Sequence, residues 1–214
     1  AESLGAHIKN KKIGLQGDAS TYSFYANKVI TTGEGGMTLF KNKKIYKKAL
    51  QIRNQGRSVS KTYWHDYIGS NYRLTNLQSA IGIEQLKKIK LFLKKRKNIF
   101  KNYIDKLSIN KRIKFIPQEK NTENSYWLFT ITISNFTELQ RDRLSDFLTS
   151  NGVENRPMFY PLNKMKVYKK YANGKFIESE KLSYSSISLP TSINLTKNDI
   201  EKISKLILDF VDKN

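Results

Sequence analysis

The longest continuous pattern in the sequence is helical and runs from Asn76 to about Leu107. Apolar residues recur along it at steps of three, four and seven, the spacing of one helix face, and lysines fill much of the rest. These apolar positions are Leu86, Ile89, Leu93, Phe100, Ile104 and Leu107. A helix of about 30 residues measures roughly 45 Å at 1.5 Å per residue. Because one small domain cannot bury an element of that length, the pattern predicts a helix that links two domains.

Short strands and helices alternate on both sides of this segment, which predicts an α/β chain. Upstream, the patterns predict strands at Thr21–Ala26 and Gly36–Phe40, a turn at Thr31–Gly36, and a helix stopped by Gly56 with Ile45, Ala49 and Ile52 on one face. Downstream, they predict strands at Arg112–Pro117, Tyr126–Ile133 and Val153–Pro157, a helix over Thr137–Asn151 ended by Gly152, and a last helix over about Thr196–Asp212 with Ile200, Ile203, Ile207 and Phe210 inward. We therefore expect one domain portion at residues 1–85, a connecting helix at 86–107 and a small α/β domain at 108–214.

The composition excludes several kinds of chemistry. The chain has no Cys, which rules out disulfides, thiol catalysis and Cys-ligated zinc, and its two His, His7 and His65, lie far apart in sequence. We therefore expect no metal site. No apolar run approaches the roughly 20 residues of a membrane helix. The sequence thus predicts a cytoplasmic protein with no membrane partner.

The net charge of +21 raises nucleic acid as an alternative partner. However, only eight of the 39 basic residues are Arg, the residue that clamps phosphates and reads bases bidentately. The one candidate basic segment, LKKIKLFLKKRKNIF, has apolar positions that a buried helix stripe explains better. We therefore expect no nucleic-acid partner and read the lysine excess as a solvated surface.

The segment SFYANKVITTGEGG, from Ser23 to Gly36, carries the strongest chemical signal. The hydroxyl of Ser23 can donate to a phosphate, and Lys28 follows it by five residues, past the end of a predicted strand. The threonines and glycines after Lys28 suit a tight turn in which the backbone passes close to other groups. The phosphate-binding pattern GxxxxGK[ST] is absent. By themselves these features are also compatible with an exposed lysine beside a plain hairpin.

This segment resembles the signature of the DegT/DnrJ/EryC1/StrS aminotransferases, a family of nucleotide-sugar transaminases. In that family the signature lysine binds pyridoxal 5'-phosphate covalently, and the serine contacts the phosphate of the cofactor. The resemblance implies these roles for Lys28 and Ser23. A lysine at position 28 also argues against the dehydratase relatives, which have His there.

A second block, RNQGRS followed by YWHDYIGSNYRLTNLQSAIGIEQL, resembles the next region of the family. There, the Asn of the Asn-Tyr-Arg motif reaches across a dimer interface to the phosphate of the partner's cofactor, a role that falls on Asn71. Without the resemblance, Asn71 would be read as a loop-capping residue. The Tyr-Trp-His sequence at Tyr63 is most similar to the GDP-perosamine synthase branch, which aminates C4 of a GDP-linked 4-keto-6-deoxy sugar.

A third block, NGVENRPMFYPLNKMKVYKKY with SLPTSINLT, resembles the small domain of the family and departs from it. Asn163 stands where His is usual, and in the second block Ser70 replaces a frequent Tyr. These departures leave the implied cofactor contacts intact and put the identity of the substrate in doubt. No substrate role is carried over to Asn163.

The resemblance implies the C-terminal part of a fold-type I pyridoxal-phosphate-dependent transferase, in which residues 1–85 end the large cofactor-binding domain. The aspartate that pairs with the pyridine nitrogen in the family would lie just upstream of Ala1, so the sequence reads as a fragment that is inactive alone. The implied full protein is a homodimer that transfers an amino group from L-glutamate to a nucleotide sugar for surface polysaccharide or O-antigen synthesis. A C3-keto-sugar or cyclitol aminotransferase and a relative without catalysis remain the alternatives.

Overall fold

The alternation of strand and helix patterns is realised in the computed structural model of the chain, which describes residues 1–14 and 16–214. The strands are β1 (His7–Ile8), β2 (Lys11–Lys12), β3 (Ala19–Ser23), β4 (Gly36–Phe40), β5 (Ile113–Phe115), β6 (Thr122–Glu123), β7 (Phe129–Ile133), β8 (Arg156–Pro157) and β9 (Ser186–Leu189). The helices are α1 (Lys43–Arg53), α2 (Asn76–Lys87), α3 (Ile89–Leu107), α4 (Glu138–Ser150), α5 (Ile177–Ser185) and α6 (Lys197–Lys213).

The described residues divide into two compact units. The first unit contains Ala1–Leu93 and Gln118–Trp127, and the second contains Lys94–Pro117 and Leu128–Asn214. The division into domains at residues 85/86 and 107/108, expected from the sequence, stays a prediction.

The second unit is built on an antiparallel sheet in the order β5-β7-β9-β8. Strand β7 alternates apolar residues with threonines. Phe129, Ile131 and Ile133 belong to the core, and the hydroxyl of Thr130 lies 2.9 Å from that of Ser188. Apolar residues of the helices complete one continuous core. They include Ile99, Tyr103 and Leu107 of α3, Leu144 and Leu148 of α4, and Ile200, Ile203, Ile207 and Val211 of α6. Removing this apolar surface from water is the main force that stabilises the unit.

Helix α6 begins with a capping box, in which Thr196 and Asp199 satisfy each other's backbone amides. The side chain and the backbone amide of Thr196 donate to Oδ2 of Asp199 at 2.7 and 2.9 Å. These hydrogen bonds hold the pKa of Asp199 below its ordinary value. The pKa of this carboxyl is therefore lower in the folded than in the unfolded chain, so its stabilisation is present above the unfolded pKa and lost as pH falls through the folded one.

We expect Asp199→Asn to destabilise the protein at pH 7 and to have a smaller effect at pH 3. The amide keeps an acceptor for the capping bonds, so the variant isolates the contribution of the charge. Urea denaturation at the two pH values measures the difference in free energy of unfolding. Asp209→Asn on the same helix serves as a control outside the capping box, and an equal loss for Asp199→Asn at both pH values would contradict the assignment.

The helical segment predicted over Asn76–Leu107 is two consecutive helices. Lys88, with φ −97° and ψ 1°, ends α2, and its carbonyl already accepts from the amide of Phe92 at 3.1 Å in the first turn of α3. No Gly or Pro marks this position, so the apolar spacing continues through the break.

The predicted apolar stripe of this segment was only partly right. Leu107 is buried and Phe100 packs against the core, but Leu86 and Ile104 are exposed. The other buried positions of this segment in the second unit are Arg96, Ile99 and Tyr103. Arg96 and Tyr103 are buried although each carries a polar group, which a pattern built on apolar residues overlooks. The sequence also missed α5 and the strands β1, β2, β6 and β9, while the other five strands and the helices over 137–151 and 196–212 were predicted to within a few residues.

The first unit buries much less apolar surface than the second. Its sheets are small: β2-β1-β6 and the antiparallel hairpin β3-β4. Helices α1 and α2 have no buried residue. On the face predicted to carry Ile45, Ala49 and Ile52, the two isoleucines are exposed and Ala49 is half-buried. Other large apolar side chains of this unit are more than three-quarters exposed: Val59, Tyr63, Ile68 and Leu77. Exposed apolar surface of this extent is typical of a region that other residues cover.

No helix in the described parts of the chain is both long enough and apolar enough to cross a membrane.

Candidate active site

The hairpin β3-β4 of the first unit carries the loop that contains Lys28. The strands pair in register from Ala19 with Phe40 to Ser23 with Gly36, so the loop leaves the sheet directly after Ser23. The amide of Phe24 donates to the carbonyl of Gly35 at 2.9 Å and closes the loop at its base. Ser23 and Lys28 therefore stand on one short, closed segment.

Two threonines form hydrogen bonds within this loop. Thr31 Oγ1 donates to the carbonyl of Phe24 at 3.0 Å, and the amide of Thr32 donates to the same carbonyl at 2.9 Å. Thr32 Oγ1 donates to the carbonyl of Glu34 at 2.7 Å. Gly35 has φ +140°, and a Cβ there would lie 2.7 Å from Thr32 Oγ1. The sequence suggested a tight turn, and these contacts explain its Thr and Gly residues.

Helix α2 holds the loop from outside through two glutamines that the sequence analysis did not single out. Gln78 Nε2 donates to the carbonyl of Glu34 at 3.1 Å, and Gln85 Oε1 accepts from the amide of Thr31 at 3.4 Å. The two residues are seven positions apart, which is two helical turns, so they share one face of α2. That spacing was the only sequence signal available for them.

Lys28 is largely withdrawn from solvent, with its side chain 13% exposed. Its Nζ lies 3.4 Å from the centre of the Trp127 ring and 3.7 Å from Oε1 of Glu2. The neighbouring Val29 and Ile30 are buried and anchor the backbone. Lys61 also lies over a ring, that of Trp64, but at an exposed position, so the burial of the amine together with the ring contact separates Lys28 from the solvated lysines of this chain.

Trp127 was not predicted as part of the site. It lies about a hundred residues after Lys28, and its Nε1 donates to the carbonyl of Asn27 at 2.9 Å. Ser125 Oγ donates to the carbonyl of Glu2 at 2.8 Å. The segment Ser125–Trp127 thus fixes both groups that face the amine of Lys28.

Within the described residues, Ser23 and Asn71 each have a side-chain donor that makes no hydrogen bond. Ser23 Oγ accepts from the amide of Tyr25 at 3.3 Å, which leaves its own proton available to a ligand. Asn71 is exposed, and its Oδ1 accepts from Nε of Arg73 at 3.0 Å. The Nδ2 group of Asn71, beside a guanidinium, is suited to an anion that arrives from outside.

The backbone around Asn71 is held by a close crossing of two segments. The backbone of Asn71 forms an isolated antiparallel β-bridge with that of Asn54, and Arg57 forms another with His65. Between them Gly56 has φ +70°, and a Cβ there would come within 1.8 Å of the carbonyl oxygen of Tyr67. Only glycine can occupy this position without displacing the backbone that presents Asn71.

The two departures from the family pattern have different environments. Asn163, in the second unit, donates from Nδ2 to Oε1 of Glu180 at 2.9 Å, and Nζ of Lys164 lies 2.9 Å from the other carboxylate oxygen. These partners lower the pKa of Glu180, Lys164 contributing most. Ser70 contributes its backbone, through an amide that donates to the carbonyl of Ile52 at 3.0 Å.

The residues present fit pyridoxal phosphate. A shielded primary amine whose one nearby carboxylate, Glu2, is more than half exposed can bond to an aldehyde, and a hydroxyl and an amide with donors left over can bind phosphate. Gly33, with φ +78° and nothing within 4 Å of a built Cβ, leaves open space on the loop beside them. Among the described residues, no cluster of three His, Asp or Glu side chains could hold a metal ion.

Known proteins are similar to this chain in both sequence and fold. The GDP-perosamine synthase of Vibrio cholerae is 36% identical over 211 residues, which cover 98% of this chain and 57% of that protein. The solved structure of Helicobacter pylori PseC, an aminotransferase involved in the biosynthesis of pseudoaminic acid, has a TM-score of 0.91 at 26% identity and covers 100% of this chain and 59% of that one. A DegT DnrJ EryC1 StrS aminotransferase from Brucella abortus has a TM-score of 0.85 at 26% identity, covering 98% of this chain and 55% of that one.

These likenesses confirm the predicted fold class, the C-terminal part of a fold-type I transferase. The chain spans little more than half the length of the relatives it matches. The sequence model of the DegT/DnrJ/EryC1/StrS aminotransferase family matches residues 1–208. The chain therefore belongs to this family of sugar aminotransferases, whose enzymes depend on pyridoxal phosphate.

Proposed function

We propose that the protein containing this chain is a pyridoxal-phosphate-dependent aminotransferase of a nucleotide-linked 4-keto-6-deoxy sugar, with Lys28 as the residue that binds the cofactor. The observation that carries the proposal is the environment of Lys28, a shielded amine on a loop fixed by its own threonines and by α2. The overall reaction converts L-glutamate and a keto sugar into 2-oxoglutarate and an amino sugar.

Lys28 and Ser23 have separate roles in this reaction. When bound, pyridoxal phosphate supplies an aldehyde that condenses with amines and a ring that takes up electrons from the reacting carbon. Lys28 binds it covalently and, once displaced by the amino donor, takes the proton from the donor carbon at Nζ and returns it to the cofactor side. The Ser23 hydroxyl donates to the phosphate of the same site, and the closed loop keeps the two groups at a fixed separation.

The proposal includes a homodimer in which Asn71 donates to the phosphate bound by the partner. Its support is the exposed amide of Asn71 beside Arg73 and the exposed apolar side chains of the same unit, such as Ile68 and Tyr72. A self-complementary interface would bury such residues on both copies at once. Light scattering of the full natural protein checks the subunit number.

We also propose that residues outside the present sequence complete the large domain. The hairpin β3-β4 has no further strand beside it in the described structure, and an isolated two-stranded hairpin is marginally stable in water. Helices α1 and α2 have no buried residue, and packing against further residues would bury their exposed apolar side chains. The chain alone is then expected to bind the cofactor poorly.

The choice of a perosamine-type substrate rests on the Tyr63–Trp64–His65 motif and on the name of the Vibrio cholerae relative. We propose a GDP-linked 4-keto-6-deoxy sugar as substrate, with a cytoplasmic role in surface polysaccharide or O-antigen synthesis. Amination at C3 or of a cyclitol is the alternative within the same family.

The proposal is tested by incubating the full natural protein with pyridoxal phosphate, L-glutamate and a GDP-linked 4-keto-6-deoxyhexose. Mass spectrometry is expected to find the amino sugar nucleotide with one equivalent of 2-oxoglutarate, and NMR to place the new amine at C4. A 3-keto substrate and a cyclitol ketone, assayed in parallel, identify the alternatives. No product from any of the three ketones would contradict the function.

A further inference from the structure

The segment Ser125–Trp127 contacts the loop of Lys28 in a way that the proposed function does not yet use. Trp127 is 8% exposed, and its indole N–H is bonded to the carbonyl of Asn27, the residue next to Lys28. Its ring face lies under the amine of Lys28, 3.4 Å from Nζ to the ring centre. We propose that Trp127 is a positioning residue that holds the amine of Lys28 whenever that amine is not bonded to the cofactor.

The backbone before Trp127 is strained in a way that serves this placement. Tyr126 has φ +55°, a left-handed conformation that is unfavourable for a bulky side chain. Two side chains maintain it: Asn124 Oδ1 accepts from the amide of Tyr126 at 3.0 Å, and Glu123 Oε1 accepts from its hydroxyl at 2.8 Å. Backbone strain that surrounding contacts maintain clusters at functional sites. Here the strained residue immediately precedes the ring that meets Lys28.

The contact is of the kind that attracts an ammonium group. Trp has the strongest cation–π attraction of the aromatic residues, and the attraction grows when water is excluded. The chain offers a natural comparison, because Nζ of Lys61 lies 3.9 Å from the ring centre of Trp64, which is 52% exposed. Glu2 adds a carboxylate 3.7 Å from Nζ of Lys28, although Glu2 is more than half exposed and contributes little in water. The ring of Trp127 is therefore the main group that holds the amine of Lys28.

This role rests on the proposed function of Lys28 and deepens it. After displacement by an amino donor, Lys28 takes a proton and becomes an ammonium, the form that the Trp127 ring stabilises. Stabilising the released ammonium favours displacement of Lys28 from the cofactor. Weakening the contact with Trp127 by a given factor therefore raises, by that same factor, the donor concentration needed for displacement. A merely structural role for Trp127 would not link the strength of this contact to the donor concentration.

The first test uses the full natural protein without cofactor and measures the reactivity of individual lysines. Acetic anhydride at a limiting concentration modifies free amines, and peptide mass spectrometry gives the rate at each lysine. In Trp127→Leu the rate at Lys28 is expected to rise by about tenfold, the order of a shielded cation–π contact. Trp127→Phe keeps a ring and loses the bond to Asn27, so it is expected to fall between the two.

Trp64→Leu is the matched control, and it should leave the rate at Lys28 unchanged. An unchanged thermal midpoint shows that a variant is folded. If Trp127→Leu does not fold, Trp127→Phe tests the role of Trp127 instead. The proposal is overturned if Lys28 reacts as fast as Lys61 in the parent protein, or if neither Trp127 variant changes the rate at Lys28.

The second test separates this inference from the function on which it rests. Borohydride reduction with pyridoxal phosphate, followed by peptide mapping, shows whether Lys28 captures the cofactor, and glutamate before reduction gives the concentration that prevents capture. We expect capture at Lys28 in the parent and in Trp127→Leu, with about tenfold more glutamate needed in the variant. Capture at another lysine rejects the proposed function, whereas capture at Lys28 with the same glutamate requirement in both proteins rejects the role of Trp127 alone.

Discussion

Replacing Lys28 with alanine is expected to lower the transamination rate of the full natural protein by about 10³-fold or more, within the range for loss of a positioned acid–base group. The variant loses both the covalent link to the cofactor and the amine that carries the proton. The fold of the loop should persist, because Val29 and Ile30 remain buried and the threonine bonds do not involve the Lys28 side chain. A normal thermal midpoint with an inactive site is therefore the expected combination.

The absorbance spectrum of the protein with pyridoxal phosphate measures this directly. The parent is expected to show a visible band that L-glutamate bleaches, and Lys28→Ala to show none that responds to glutamate. Lys28→Arg keeps a cation over the Trp127 ring but has no amine that can bond to an aldehyde, so it should be as inactive as alanine. Lys61→Ala, the lysine over Trp64, is the control that should keep the band. A Lys28→Ala variant with parental turnover would refute the assignment.

The same variant tests the proposed contribution of Asn71 to the neighbouring subunit. Lys28→Ala and Asn71→Ala each disable both sites of their own dimer, but in a mixed dimer one site carries both lesions and the other carries neither. Random mixing of equal amounts should therefore restore about a quarter of the parental activity. No recovery in confirmed mixed dimers would place Lys28 and Asn71 in the same subunit's site.

The part of the site that could be predicted from sequence was local in the chain. Ser23, Lys28 and the Thr and Gly residues after them lie within fourteen positions, and the structure gives each a role in one closed loop. Hydrogen bonds between residues so close together depend on turn chemistry that the sequence displays directly. The assignments of Lys28, Ser23 and Asn71 to cofactor chemistry remain predictions that the experiments above test.

The part that could not be predicted depends on tertiary contacts. Trp127 meets Lys28 across about a hundred positions, and nothing in the period of the YWLFTITI strand distinguishes a ring in the core from a ring under an amine. The pattern there also placed Tyr126 in a strand, whereas its positive φ puts it in the irregular segment between β6, which ends at Glu123, and β7, which begins at Phe129. Side-chain bonds from Asn124 and Glu123 override the strand propensity at that point.

Gly56 illustrates a residue whose importance the sequence indicated for a different reason. It was predicted to stop helix α1, but the helix already ends at Arg53, with Asn54 as its cap. Gln55 and Gly56 both have positive φ, and the amide of Gly56 returns to the carbonyl of Gln51 at 2.7 Å. Gly56 is needed mainly because the segment carrying Tyr67 crosses directly over it.

Replacing Gly56 with alanine is expected to destabilise the first unit by about 2–5 kcal/mol. A non-glycine residue in the left-handed region costs about 1–2 kcal/mol, and forcing extra volume into a packed site adds about 1–3 kcal/mol. The clash is with backbone, since the new Cβ would lie 1.8 Å from the carbonyl oxygen of Tyr67. A flexible side chain could rotate away, but this carbonyl can move only with the segment that leads to Asn71.

Gly33→Ala is the matched control, because Gly33 lies in the same unit with φ +78° and has nothing within 4 Å of a built Cβ. It should show the conformational penalty alone, about 1–2 kcal/mol. Urea denaturation of both variants, followed by circular dichroism, measures the difference in free energy of unfolding, and hydrogen exchange at Ser70 and Tyr72 locates it. Because the displaced segment presents Asn71, Gly56→Ala should also weaken retention of pyridoxal phosphate in the dimer. Equal destabilisation by the two substitutions would mean that the crossing of the two segments is looser than the geometry indicates, and that the left-handed backbone alone requires glycine at position 56.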